Sequence, residues 1–125
     1  MNGNRFLLDT NAIVALLDGN ADINRLIIGA DWVGVSIISV LEYMSFANLS
    51  MDDMDLLNNF LKRIDVIDLE MDNFTLLLNT SQIRIIHKLK LPDAIIAATS
   101  VANNASLITA DKGFNKVKDI KVIGL

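Results

Sequence analysis

Four acidic residues carry the chemistry open to this sequence. Asp9 closes the apolar run Phe6-Leu7-Leu8, and Glu42 lies within SIISVLEYMSFANL. Asp93 follows the only proline, Pro92, in KLKLPDAIIAATS, and Asp111 follows SLITA. Each has a structural explanation. Asp9-Thr10-Asn11 offers three good helix N-caps. Ser39-Val40-Leu41-Glu42 fits the S-x-x-E capping box, in which the glutamate binds the backbone amide of the cap. An acid beside a proline at the first helical position suits the helix dipole, and Asp111 with Gly113 suits a turn. The four are harder to explain together, if the fold gathers them. Clustered like charges without a cation force some carboxylates to stay protonated. A hard divalent cation resolves that conflict. Mg²⁺ takes oxygen ligands in octahedral geometry and keeps several waters. Two such ions about 3.5–4 Å apart can activate a water and stabilise the leaving oxygen in phosphodiester cleavage.

The elements decide whether the acids meet. Short strand candidates are 5–9, 32–37, 64–68, 106–109 and 120–123. Helical periodicity covers 12–18, 22–29, 39–48, 52–63, 73–90 and 93–103. Strands separated by helices pair in parallel through right-handed crossovers. The expected fold is therefore one α/β domain over residues 1–125, an open sheet of about five strands with helices on both faces. Ligands bind such sheets beyond the carboxyl ends of the strands, near the point where strand order reverses. All four acids fall at that edge.

Composition narrows the alternatives. A chain of 125 residues buries roughly two-thirds of its unfolded surface. Its 52% hydrophobic content and mean hydropathy of +0.42 fit a sheet covered on both faces. The apolar runs, such as AIVALL at 12–17, fall far short of the ~20 residues of a spanning helix. Asp9-Thr10-Asn11 interrupts any signal-peptide pattern. With no cysteine, thiolate catalysis, disulfides and cysteine zinc sites are excluded, and a cytoplasmic location is the default expectation. His87 is the only histidine, which rules out two-histidine acid–base catalysis; its apolar neighbours place it on a helix face. No P-loop or dinucleotide-binding glycine pattern occurs. The net charge of −4 argues against simple electrostatic binding of nucleic acid. The charges are nonetheless segregated, with 12 acidic and 4 basic residues in 1–72 against 3 acidic and 7 basic in 73–125.

LLDTN (7–11), the glutamate of SIISVLEY (36–43), LPDAIIAAT (91–99) and LITADKGF (107–114) resemble the four acidic blocks of PIN-domain nucleases. Their order and spacing resemble the small toxin ribonucleases of VapC type, over almost the whole chain. The resemblance implies a parallel five-stranded sheet of order 3-2-1-4-5, with Asp9 and Asp111 flanking the switch between strands one and four. It implies Mg²⁺ or Mn²⁺ dependence and cleavage of single-stranded RNA. By that analogy Asp9, Glu42, Asp93 and Asp111 form the catalytic metal-binding cluster. Thr10, Asn11 and Thr109 would support it, and Arg84 matches a position often basic in such toxins.

The leading expectation is a metal-dependent endoribonuclease, the toxin of a toxin–antitoxin pair. Phosphate contacts are expected from Arg84, Lys88, Lys90, Lys112 and Lys116. A PIN-fold nuclease of RNA processing and an inactive PIN domain that only binds a partner stay open. So does a phosphorylation-dependent receiver module with Asp68 as phosphoacceptor. Helices 22–29 and 39–63 carry more apolar residues than one face per helix must bury, among them Ile28, Met44, Phe46, Met51, Leu57 and Phe60. Methionine-rich surfaces make adaptable docking sites. The resemblance implies a groove here for the C-terminal segment of a small antitoxin, and self-association is expected through part of the same surface, giving a homodimer or higher assembly.

Overall fold

The computed structural model describes residues 4–125. The elements follow as β1 (Arg5–Leu8), α1 (Thr10–Leu17), α2 (Ala21–Ile28), β2 (Trp32–Ser36), α3 (Ile37–Met44), α4 (Met51–Leu61), β3 (Asp65–Ile67), α5 (Phe74–His87), α6 (Leu91–Ala102), β4 (Ser106–Thr109) and β5 (Val122–Gly124), with a 3₁₀ turn at Lys112–Lys116. The five strands form one sheet of order β3-β2-β1-β4-β5, and every pairing is parallel. That is the expected order. It differs from the 2-1-3-4-5 order of flavodoxin-like receivers and excludes that reading. Asp68 lies just past β3 and is exposed.

The continuous apolar strands feed two cores. Successive strand residues point to opposite faces. Accordingly Leu7 and Leu107 join Ala94, Ile96, Ala97 and Phe114 on one side. Phe6, Leu8 and Ile108 join Ala12, Ile13, Val40, Tyr43 and Leu57 on the other. α6 lies deepest of the helices, with Ala94 to Ser100 all buried, which explains its run of alanines: small side chains let its backbone approach the sheet.

Several boundaries differ from expectation for local reasons. α3 starts at Ile37 because Ser36 caps it, its hydroxyl accepting from the Ile38 amide at 3.1 Å. α5 stops at His87 because Lys88 turns left-handed at φ 55°. The last strand is Val122–Gly124 rather than 120–123, while Ile120 packs into the core from the preceding loop. At the opposite edge from the acids, the Trp32 ring lies across Gly34, so close that a Cβ there would collide with it. Arg5 stacks over the same ring at 4.8 Å, and the indole N–H donates to Asp65 at 2.6 Å. Among the described residues no helix is long and apolar enough to cross a membrane.

Candidate active site

Asp9 is only 6% exposed and stands where β1 hands over to α1. It occupies the N-cap position, where its backbone carbonyl accepts the first bonds of the helix, from the amides of Ala12 and Ile13. Its carboxylate both caps the helix and is tied to the neighbouring strand. Oδ1 accepts from the Thr10 amide at 2.7 Å. Oδ2 accepts from the Thr109 hydroxyl at 2.7 Å and, at 3.4 Å, from the Asn11 amide. Thr109, at the end of β4, in turn accepts from the Asp111 amide at 3.0 Å. Asn11 closes the other side, its carbonyl accepting from the Ala110 amide at 2.9 Å. Side chains from α1 and β4 thus lock β1, β4 and the loop after β4 around one buried carboxylate.

Glu42 does not form the expected capping box. With Ser36 as cap it is the sixth residue of α3, beyond the first turn. Ser39 lies inside the helix, fully buried, with no partner for its hydroxyl oxygen. Glu42 is exposed and is held instead by the Thr10 hydroxyl, which donates to Oε1 at 2.8 Å. Asp93 is the third residue of α6, which begins at Leu91 and has no side-chain cap. Favourable charge at a helix start explains its type, but no capping bond does. The turn explanation holds for half of Asp111: Oδ1 accepts from the Gly113 amide at 2.8 Å and caps the 3₁₀ turn.

Asp9, Glu42, Asp93 and Asp111 line one cavity of about 370 Å³, together with Thr10, Asn11, Val14 and Phe46. Four elements of the chain deliver them to the carboxyl edge of the sheet. Burial pushes the Asp9 carboxyl above its ordinary value; bonds from Thr109 and Thr10 oppose this, and the charges of Glu42 and Asp111 reinforce it. Asp93 is also raised, first by burial and then by Asp111, Asp9 and Glu42, with Lys90 opposing. The acids therefore feel one another. Among the described residues no three of them converge into a ready-made metal cage. The donor set is nevertheless all oxygen, the class that hard divalent cations require.

Val14 was missed from the sequence and Phe46 was read only as a docking residue, although each stands four positions after a recognised residue, Thr10 and Glu42. The basic residues stand apart. Arg84, Lys88, Lys90, Lys112 and Lys116 are all exposed, and none lines the acidic cavity. Lys112 borders a smaller neighbouring cleft with Thr109 and Asp111. His87 lies in the last turn of α5, partly buried.

A family model for the PIN domain matches residues 6–120. The chain belongs to the PIN-domain family. Among solved structures, this PIN domain is similar to a toxin–antitoxin complex from Klebsiella pneumoniae, with 27% identity, 94% of each chain covered and a TM-score of 0.75. It shares its fold with VapBC2 from Rickettsia felis bound to a promoter DNA fragment, at 19% identity, 97% and 98% coverage and a TM-score of 0.80. FitAcB from Neisseria gonorrhoeae matches at 24% identity, 95% and 96% coverage and a TM-score of 0.68. No curated protein matches.

Proposed function

We propose that residues 1–125 form one nuclease domain, a metal-dependent endoribonuclease that acts as the toxin of a toxin–antitoxin pair. The observation that carries this reading is the single cavity lined by carboxylates from four separate elements. Membership of the PIN family and likeness to a toxin–antitoxin complex support it. Asp9, Glu42, Asp93 and Asp111 would hold one or two Mg²⁺ or Mn²⁺ ions. When bound, such an ion lowers the pKa of water and stabilises charge on a leaving oxygen.

The chain's own residues set the conditions. Thr109, Thr10 and Asn11 fix the orientation of Asp9, and Thr10 ties Glu42 to the same frame. Burial and the neighbouring acids raise the Asp9 and Asp93 carboxyls, and positive charge entering the cavity would oppose that shift and favour their ionised forms. Lys112 and Lys116 on the 3₁₀ turn, with Arg84, Lys88 and Lys90 around the α5–α6 junction, supply phosphate contacts that position RNA without reading its sequence. Hydrolysis of the P–O3′ bond would leave 5′-phosphate and 3′-hydroxyl ends.

A cleft of about 570 Å³ between α1, α2 and α4, lined by Leu16, Leu17, Ile27, Trp32 and Phe60 among others, offers the antitoxin segment a seat. Of the apolar residues that suggested docking, Leu57 is wholly buried and Phe60 partly so, whereas Ile28, Met44, Phe46 and Met51 are exposed. A second exposed group lies elsewhere, at Phe74, Leu78, Ile85 and Ile86 on α5 and Leu91 on α6. Self-association is proposed through that face. Expression of the chain alone in bacteria tests the toxin reading: growth should arrest, and an Asp9→Asn version should grow normally. Normal growth with both, at equal protein levels, would count against a toxin.

A further inference from the structure

We infer that Phe46 is a stacking platform for one unpaired nucleobase beside the scissile phosphate, and that it confers single-strand preference on the site. This rests on the nuclease reading above. Phe46 follows α3 in a turn, one helical turn beyond Glu42, with its amide donating to the Tyr43 carbonyl at 3.2 Å. It lines the acidic cavity and yet is 46% exposed. Tyr43, only 5% exposed, supports it from below, with ring centroids 5.6 Å apart and planes inclined by 55°. Phe46 is therefore anchored on one side and open on the other.

The chemistry of the cavity wall leaves few other means of gripping RNA. Asp9, Glu42, Asp93 and Asp111 repel phosphate. The Thr10 hydroxyl is committed to Glu42, and the Asn11 amide to Asp9 and Thr109. Of the residues lining the cavity only Val14 and Phe46 are apolar, and only Phe46 offers a flat face. Stacking on an aromatic ring tolerates any base, because every base has a π-face. In a duplex those faces are covered by neighbouring pairs, so an unpaired strand is selected without base-specific hydrogen bonds.

The test compares Phe46→Ala, Phe46→Leu and Phe46→Trp with the parent in two assays. Cleavage of a mixed-sequence single-stranded RNA is followed with Mg²⁺. Binding of a fluorescein-labelled RNA 12-mer is followed by anisotropy in an Asp93→Asn background. Phe46→Ala and Phe46→Leu should weaken single-strand binding roughly 5- to 150-fold, the range that base–aromatic stacking carries. KM should rise and kcat change far less, while Phe46→Trp keeps parental affinity or exceeds it. Melting temperatures should match the parent, since the ring is half exposed. Parental binding by both the alanine and leucine variants overturns the inference, and parental binding by leucine alone reduces Phe46 to a generic apolar contact and overturns it too. A parent that neither cleaves nor binds RNA refutes the nuclease reading itself, a result distinguishable because it precedes any change at Phe46.

Discussion

At the scale of single residues, the site holds carboxylates where burial and neighbouring acids disfavour their charge. Burial, reinforced by the neighbouring acids, holds the carboxyls of Asp9 and Asp93 above their ordinary value in the folded state, the reverse of the usual stabilising carboxylate. The sign follows from proton linkage. Between the unfolded and the raised folded pKa the native state binds more protons, so metal-free stability falls as pH rises through that window and stays low above it. Asp93→Asn should therefore raise the metal-free melting temperature near neutral pH and flatten its fall as pH rises above the ordinary carboxylate range, while abolishing cleavage. Thermal melts across pH check this, and a variant several degrees less stable would contradict it. Thr109→Val has the opposite expectation. It strips a buried donor from Asp9 and should cost about 1–3 kcal/mol, read by urea denaturation, with loss of activity.

Helix starts decide where the side chains point, and they were the least legible feature in the sequence. The order of strands and helices could be read from continuous apolar runs and helical periodicity, because a sheet buried on both faces imposes them. Register was harder. For the helix after β2 the capping-box spacing to Glu42 pointed to Ser39, whereas Ser36 is the cap in the structure. The structure selects Ser36 because β2 runs on to that residue in pairing with Ile67. Ser36→Ala should cost about 1 kcal/mol, whereas Ser39→Ala, which removes a hydroxyl without a partner, should be neutral or stabilising. Equal losses in chemical denaturation would restore the capping-box reading. Asp9 and Asp111 were legible because each sits where a strand delivers it. The links between them were not. Thr109 and Asn11 join residues 98 to 100 positions apart, a separation that carries no local signal.

On the scale of the whole molecule, the acidic cavity and the apolar face proposed for self-association are different surfaces. The acidic cavity lies at the carboxyl edge of the sheet, and Trp32 fastens the opposite edge. Gly34→Ala would drive a methyl group into that ring and should cost about 1–3 kcal/mol, the usual scale of overpacking, in a thermal melt. The exposed face of α5 is the one proposed for self-association. Ile85, 75% exposed, should support self-association, so Ile85→Glu should shift light scattering of the purified chain towards monomer without altering its cleavage of RNA per site. An unchanged mass would place the interface elsewhere. The central claim is that four carboxylates from four elements form one metal-dependent hydrolytic site. Its most direct test is cleavage of single-stranded RNA by the purified chain with Mg²⁺ or Mn²⁺, repeated in EDTA and with folded Asp9→Asn and Asp93→Asn proteins. Cleavage should require the metal, return when EDTA is titrated out, and vanish in both variants; undiminished cleavage in EDTA, or by either variant, would contradict the account.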